Sequence, residues 1–134
     1  MFRRILLLAA GLTLALWATI AAATEPRTEE ASAALDYIMG LQNADGGFPA
    51  FGAESTPGST LDALFALKAT GQDPDLIRTD GSSPFDYLET HAAEYASDPG
   101  AAAKLALGAA LFDRDLLDFG GVDLLAIMAD AADA

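Results

Sequence analysis

The one histidine of the chain, His91, stands close in sequence to Asp86 and Tyr87. An imidazole beside an acidic group is suited to general acid–base catalysis. Such chemistry also needs a second catalytic group at a workable spacing, and none is recognisable around His91. We therefore predict no catalytic residue and interpret His91 as a partly exposed residue of a helix.

Few side chains of this sequence are arranged to bind a metal ion. The chain has no cysteine, so a thiolate metal site is excluded, and an exported domain of this kind must hold together by packing alone. Asp45-Gly46-Gly47 resembles part of a calcium loop, but the further oxygen ligands of an EF-hand are absent from the set positions. We expect no metal and no cofactor.

Acidic side chains outnumber basic ones by 20 to 7, which gives a formal charge of −13. A surface of this sign repels phosphate backbones, so we exclude nucleic acid as a partner. The same repulsion argues against anionic membrane surfaces.

The first 23 residues have the three parts of a secretory signal peptide. Arg3 and Arg4 form a basic start, residues 5–20 are uncharged and apolar, and Ala23 ends a run of small residues where cleavage is expected. Cleavage there would change the formal charge to −15, since it removes two arginines. An uncleaved anchor is the alternative, because the apolar run is close to the shortest that spans a bilayer. Both place the remaining chain outside the cytoplasm, secreted or at the cell surface.

The rest of the chain is predicted to form a series of helices separated by short loops. Residues 24–30 are polar and proline-broken, which predicts a linker. Beyond them, apolar residues recur every three or four positions between glycines and capping residues, and no segment shows sustained strand-like alternation. The class is therefore all-α. The expected helix starts are Ala31, Ser59 (with Asp62 completing a capping box), Pro84, Pro99 and Val122, and the first two helices are expected to end at Asp45-Gly46-Gly47 and Gly71.

Short matches indicate an internal repeat. Asp36-Tyr37 matches Asp86-Tyr87 at a separation of 50, and Ala66-Leu67 matches Ala106-Leu107 at a separation of 40, as does Asp73 with Asp113. These matches predict about two and a half helix-pair units in residues 31–134. Helical arrays need at least three units for stability, so we expect an incomplete array.

One stretch of the chain reads Ala34-x-x-Tyr37-Ile38-x-x-x-Gln42-x-x-x-Gly46-x-Phe48. It resembles the QW motif of the prenyltransferase and squalene-oxidase repeat, which builds the α/α toroids of squalene-hopene cyclases. The resemblance covers about residues 31–130, with Ala33 where the family has a basic residue and a closing Phe48 where tryptophan is commonest. It implies a partial α/α toroid of antiparallel helix pairs, in which Gln42 bonds the N-terminus of the next helix and an aromatic ring stacks on it. From this stretch we take Tyr37, Gln42, Gly46 and Phe48 as the structural motif.

The chemistry of the family is not matched. Class II terpene cyclases protonate an alkene with an Asp-x-Asp-Asp motif, and the nearest run, Asp113-Arg114-Asp115 with Asp118, has a different spacing. We interpret that run as a solvated loop between helices. The zinc of protein prenyltransferases needs Asp, Cys and His ligands, a set that this chain lacks. Toroids often enclose an apolar cavity, for which Phe51, Phe65 and Tyr87 are candidates, with core packing as their alternative role.

Two functions fit these observations. The first is an exported, non-catalytic repeat module that binds a small apolar ligand or a protein partner. The alternative is a fragment of a terpene-cyclase-like enzyme whose acid motif is missing here. The last helix should expose an apolar face at an open end, so we also expect self-association or further repeats. The residues of that face are Val122, Leu124, Leu125, Ile127 and Met128.

Overall fold

The computed structural model describes residues 28–132, which form five α-helices and no strand. This confirms the all-α class. From Ala31 onward the described residues form one compact unit. The predicted signal peptide or anchor lies outside the described residues. The helices are α1 (Thr28–Met39), α2 (Pro57–Ala69), α3 (Pro84–Tyr95), α4 (Pro99–Leu111) and α5 (Leu124–Ala132), and a short 3₁₀ helix (Pro74–Leu76) precedes α3.

The starts of α3 and α4 are set by local capping, as expected. Ser83 precedes α3, and its side chain and that of Asp86 each accept a hydrogen bond from the other's backbone N–H. The backbone N–H and the hydroxyl of Ser83 both donate to Asp86 Oδ2, and these two bonds hold the pKa of the Asp86 carboxyl below its usual value. At α4, Asp98 Oδ1 accepts a bond from the backbone N–H of Ala101 at 2.9 Å. Each cap satisfies an amide that the helix itself leaves free.

The predicted start of α2 was wrong. The helix begins two residues before Ser59, at Pro57, because Thr56 supplies the capping side chain and a proline is favoured at the first helical position. Asp62 therefore does not complete a capping box, and its carboxylate pairs with Lys104 Nζ of α4 at 2.7 Å.

The ends of α1 also differ from prediction. The helix begins at Thr28, three residues early, and ends at Met39, before Asp45-Gly46-Gly47 is reached. The backbone of Asn43 instead bonds to Gly46 and Gly47, which closes a tight turn within the loop of residues 40–56. Gly46 has a φ of 87°, so its left-handed backbone serves this turn and does not cap the helix.

The start of α5 is delayed by a second tight turn. Phe119 and Val122 exchange both backbone hydrogen bonds across Gly120 and Gly121, which have φ values of 59° and 83°. Two successive positive φ angles are typical of a type I′ turn. Val122 therefore belongs to the turn, and the helix begins at Leu124.

The core lies where α2, α3 and α4 pack on one another, and α5 packs on α4. Leu61 and Leu64 of α2 and Phe85 and Leu88 of α3 face it at helical spacing, but Leu107 of α4 is mostly exposed. The opposite face of α4 approaches α2 at Gly108, where a side chain would collide with Leu61. The largest core side chains are Leu61, Leu64, Leu67, Phe85, Leu88, Leu105, Phe119 and Leu124.

The apolar face expected at the open end is largely covered. Leu124 is fully buried, and Val122, Ile127 and Met128 are half-buried against the core. Only Leu125 of the predicted set is exposed. The exposed apolar face from which self-association was predicted is therefore smaller than expected. Self-association itself stays a prediction.

Helices α2 and α4 begin and end alike. A capping residue and Pro-Gly open each helix, in Thr56-Pro57-Gly58 and in Asp98-Pro99-Gly100. A left-handed residue follows each, Gly71 with a φ of 72° and Asp113 with a φ of 56°. Gly71 thus ends α2 as predicted. Equivalent positions of the two helices are 42 residues apart in the sequence, as Pro57 and Pro99 show. The short sequence matches predict a separation of 40 residues.

Candidate functional site

A surface groove runs beside α3, bounded by the loop of residues 40–56 and by the starts of α2 and α4. It consists of two hollows of about 500 and 570 Å³. Both are lined by Ser55, Tyr87 and His91. The first also contains Pro57, Glu94, Tyr95, Asp98 and Ala101, and the second contains Asn43, Ala44, Asp45, Ala53 and Glu54.

Helix α3 supplies the floor of the groove through helical spacing. Tyr87, His91 and Glu94 follow one another at intervals of four and three residues, so they lie along one face. Phe85 and Leu88 lie on the face that packs into the core. The amphipathic pattern that buries α3 therefore also presents this row of polar and aromatic side chains.

Tyr87 is the most buried polar side chain of the groove, with only 5% of its surface exposed. Its ring lies 4.2 Å from the His91 ring, centroid to centroid, and a side-chain carbon on Gly47 would approach its Cγ to 2.9 Å. Within the described residues its hydroxyl has no hydrogen-bond partner. Burial raises the pKa of this hydroxyl, and the negative charges of Asp45 and Glu94 raise it further, so it is a neutral phenol.

His91 is half-buried, in agreement with the expectation of a partly exposed helix residue. Its Nδ1 lies 2.8 Å from the backbone carbonyl oxygen of Tyr87. A carbonyl oxygen only accepts, so Nδ1 carries the proton and Nε2 is the remaining nitrogen. Within residues 28–132 the ring is hydrogen-bonded to no nucleophile.

Ser55 braces the loop that forms the opposite wall. Its hydroxyl donates to Asp45 Oδ1 at 2.8 Å and accepts from Asn43 Nδ2 at 2.9 Å. Asp45, Ser55 and His91 thus have the composition of a hydrolytic triad without its bonds, since the Ser55 hydroxyl donates to the Asp45 carboxylate and His91 bonds to the Tyr87 carbonyl. The arrangement is structural.

Gln42 connects the loop of residues 40–56 to the segment before α3. Its Nε2 donates to the carbonyl oxygens of Gly46 and Ile77, at 3.0 and 3.3 Å, and its Oε1 accepts from the Thr79 hydroxyl at 2.8 Å. The family resemblance implies a bond to the N-terminus of the next helix, and these contacts differ from that expectation. Gly46 packs closely against the Ser83 carbonyl at the start of α3.

Phe48 makes the contact with α2 that the resemblance assigns to the glutamine. Its side chain is buried, and its backbone N–H donates to Thr60 Oγ1 at 3.0 Å in the first turn of α2. Tyr37 contributes to neither contact, because it is 70% exposed on α1. The four motif residues therefore do not form one cluster.

Within residues 28–132, the three residues named as candidates for an apolar cavity lie in different surroundings. Phe51 is fully exposed on the loop, Phe65 is half-buried against the core, and Tyr87 lines the groove. The structure does not bring the three together. Helical spacing from Tyr87 could have pointed to His91 and Glu94, whereas no local signal marks the loop residues of the facing wall.

The acidic run after α4 shapes a connection between helices, as expected. Asp113 occupies the left-handed position at the end of α4, and Asp115 Oδ1 accepts the backbone N–H of Leu117 at 2.9 Å. Between them, Arg114 forms an ion pair with Asp75, and its guanidinium lies 4.2 Å from the centroid of a core aromatic ring.

Among residues 28–132 the charged lining of the groove is acidic, and it includes no lysine or arginine of that segment. The basic residues of the described segment make contacts elsewhere. Lys68 lies over Phe112, Arg78 pairs with Asp86, Lys104 pairs with Asp62, and Arg114 pairs with Asp75.

Residues 28–132 contain no group of three or more metal-ligating side chains placed to hold a metal ion. Within the same residues, no helix is long and apolar enough to cross a membrane. Comparisons with protein-family models, with curated proteins and with solved structures gave no match. The function is therefore argued from the groove itself.

Proposed function

We propose that this protein is a non-catalytic binding module that holds a ligand in the groove beside α3. The observation that carries this proposal is the groove itself, in which two adjoining hollows of about 500 and 570 Å³ share Ser55, Tyr87 and His91. Concave sites of this size that combine aromatic with polar side chains are typical of small-molecule binding. A ligand in the groove would contact these three side chains.

The hydrogen bonds around the groove favour binding over catalysis. His91 is hydrogen-bonded to the backbone of its own helix, and the Ser55 hydroxyl donates to Asp45. A serine nucleophile is usually activated by an adjacent histidine, and within residues 28–132 Ser55 has no bond to His91. The alternative, a fragment of a terpene-cyclase-like enzyme, gains no support from residues 113–118, since their described contacts belong to turns and to an ion pair.

We further propose that the module belongs to an α/α toroid of the prenyltransferase and squalene-oxidase repeat type and works outside the cytoplasm. The matching caps of α2 and α4 support the repeat architecture. The apolar first segment of the chain, with its basic start and small residues, supports export.

Binding can be tested with the ¹⁵N-labelled protein and a panel of neutral apolar, anionic and cationic small molecules. We expect at least one class to shift the amide resonances of α3 and of residues 40–56 while leaving those of α5 in place. Tyr87→Phe alters a side chain that lines the groove. Its matched control is Tyr37→Phe, which alters an exposed tyrosine on α1. Failure of every class to shift the groove resonances would overturn the proposal.

A further inference from the structure

Two Asp-Gly pairs occur in the sequence, Asp45-Gly46 and Asp80-Gly81. In such a pair the backbone nitrogen of the glycine can attack the side-chain carboxyl carbon of the aspartate, because glycine has no side chain to hinder the approach. The new C–N bond closes a five-membered succinimide ring, and the amide hydrogen leaves with the carboxyl hydroxyl as water.

Hydrolysis opens the succinimide in either of two ways. Water that adds to the former side-chain carbon restores the aspartate. Water that adds to the former backbone carbonyl carbon breaks its bond to nitrogen and leaves an isoaspartyl residue, in which the main chain runs through the side-chain carbons. The main chain then contains one more methylene, and the reaction consumes no oxidant, reductant or cofactor.

Contacts within the chain hold both reacting groups of Asp45-Gly46. Asp45 Oδ1 accepts bonds from the Gly47 N–H at 2.9 Å and from the Ser55 hydroxyl at 2.8 Å. The Gly46 N–H, whose nitrogen would attack, donates to the backbone carbonyl of Asn43 at 2.9 Å, and Gly46 is buried. Ring closure at this pair therefore requires several contacts to open together.

Asp80-Gly81 instead occupies an exposed turn. Asp80 and Gly81 have φ values of 50° and 91°, which is typical of a type I′ turn. Within residues 28–132 no hydrogen bond holds the Gly81 N–H or the Asp80 carboxylate, and no atom of that segment lies within 4 Å of where a side chain on Gly81 would stand. The turn is closed by the two backbone bonds between Thr79 and Ser82, at 3.2 and 3.1 Å, and by Arg78 Nη1, which donates to the Gly81 carbonyl at 2.8 Å.

We infer that Asp80-Gly81 is a site of spontaneous isoaspartate formation in the folded protein, and that the fold protects Asp45-Gly46. Ring closure at Asp80 requires its backbone to leave the left-handed conformation, which local opening of the surface turn allows. Such opening costs much less free energy than opening the contacts of a buried segment. This inference does not depend on the proposed binding function.

The modification would alter the segment that connects the groove loop to α3. The Thr79 hydroxyl donates to Gln42 Oε1 at 2.8 Å, and Ser83 caps α3. An extra methylene at position 80 lies between these two contacts and lengthens the turn that joins them. The charge is unchanged, because the former backbone carbonyl carbon becomes the free carboxylate.

The test incubates the whole protein at neutral pH and measures isoaspartate by peptide mapping with electron-transfer mass spectrometry. Trypsin places the two pairs in different peptides, since it cleaves after Lys68 and Arg78. We expect Asp80 of the folded protein to isomerise at least about 10-fold faster than Asp45, because the reaction follows the population of locally opened states. In concentrated urea the two rates should agree within about 3-fold, since unfolding removes the contacts of both pairs.

Three variants examine the chemistry. Asp80→Asn tolerates the left-handed backbone, forms the same succinimide with loss of ammonia, and should react faster than the unchanged protein. Asp80→Glu should give no isomer at position 80, because a glutamate would have to close a six-membered ring. Ser55→Ala removes one bond to the Asp45 carboxylate and should raise the rate at Asp45 alone.

Three outcomes would overturn the inference. The first is a rate at Asp45 equal to or above that at Asp80 in the folded protein. The second is a lack of succinimide products at position 80 in both the unchanged protein and Asp80→Asn, which would show that the turn forbids ring closure. The third is a difference in urea as large as in the folded protein, since the neighbouring sequence and not the fold would then set the two rates.

Discussion

Two places in this molecule combine an aromatic ring with carboxylates, and they differ in what covers the ring. Phe85 is covered by Arg114, which also pairs with Asp75, so this site is completed within the chain. Tyr87 lies near Asp45 and its hydroxyl has no partner among the described residues. Similar residue types therefore serve stability at the first site and line a surface groove at the second. Within residues 28–132 a guanidinium lies over the first ring, whereas the imidazole of His91 lies against the second.

The largest effect on stability is expected at Phe85, the ring covered by Arg114. Phe85→Ala should lower the free energy of unfolding by about 3 to 5 kcal/mol, since it removes a buried aromatic side chain and leaves a cavity. It also removes the surface on which Arg114 rests. Urea denaturation would measure the loss. A change below about 1 kcal/mol would mean that the ring does not belong to a tightly packed core.

The next effect concerns the loop that forms one wall of the groove. Gln42→Ala should cost about 1 to 2 kcal/mol, because it leaves two carbonyl groups and the Thr79 hydroxyl without their partner. Thermal denaturation would measure it, with the exposed Gln72→Ala as the matched control. Equal melting temperatures for the two variants would contradict the role assigned to Gln42.

Removal of the internal cation should have a smaller effect. Arg114→Met keeps an apolar side chain over Phe85 but loses the ion pair, and we expect a cost of about 1 kcal/mol because both charged groups are partly exposed. A double-mutant cycle with Asp75→Asn isolates the pair. Additive effects of the two substitutions would show that the ion pair contributes nothing to stability.

The smallest effect is expected at the groove ring. Tyr87→Phe removes a hydroxyl without a protein partner, so stability at neutral pH should change by less than about 0.5 kcal/mol. Folding raises the pKa of this hydroxyl above its ordinary 10.0, so the tyrosine stabilises the native state fully below pH 10 and progressively less as the pH rises toward the folded-state pKa. Denaturation below and above pH 10 should therefore show a weaker alkaline loss in Tyr87→Phe. An unchanged alkaline slope would count against the raised pKa.

Local signals predicted some elements well and others poorly. The starts of α3 and α4 followed from Ser83-Pro84 and Asp98-Pro99, because a capping side chain and a proline act within one turn. The start of α2 was missed because Thr56 and Ser59 are both suitable caps, and Pro57 decides between them. Gly46 was assigned to a helix end, since the sequence does not reveal which turn a left-handed glycine will serve.

The candidate site was predicted only in part. Tyr87 was named for a cavity with Phe51 and Phe65, and its actual neighbours come from an adjoining turn of α3 and from a distant loop. Gln42 was recognised as a connecting residue, but its partners at Ile77 and Thr79 lie beyond any local pattern. Contacts across 35 residues or more depend on how the helices pack.

By itself the sequence determined the all-α class, the buried stripes of α2 and α3, the two local caps and the acidic charge, because each depends on residues within a few turns of one another. Tertiary structure alone decided which aromatic ring received a cation. Arg114 reaches Asp75 across 39 residues, and the loop bearing Asp45 is folded against Tyr87 by contacts of similar range. Such pairings arise only when packed helices bring distant segments together, and here they place Arg114 over Phe85, and Tyr87 in the wall of a groove.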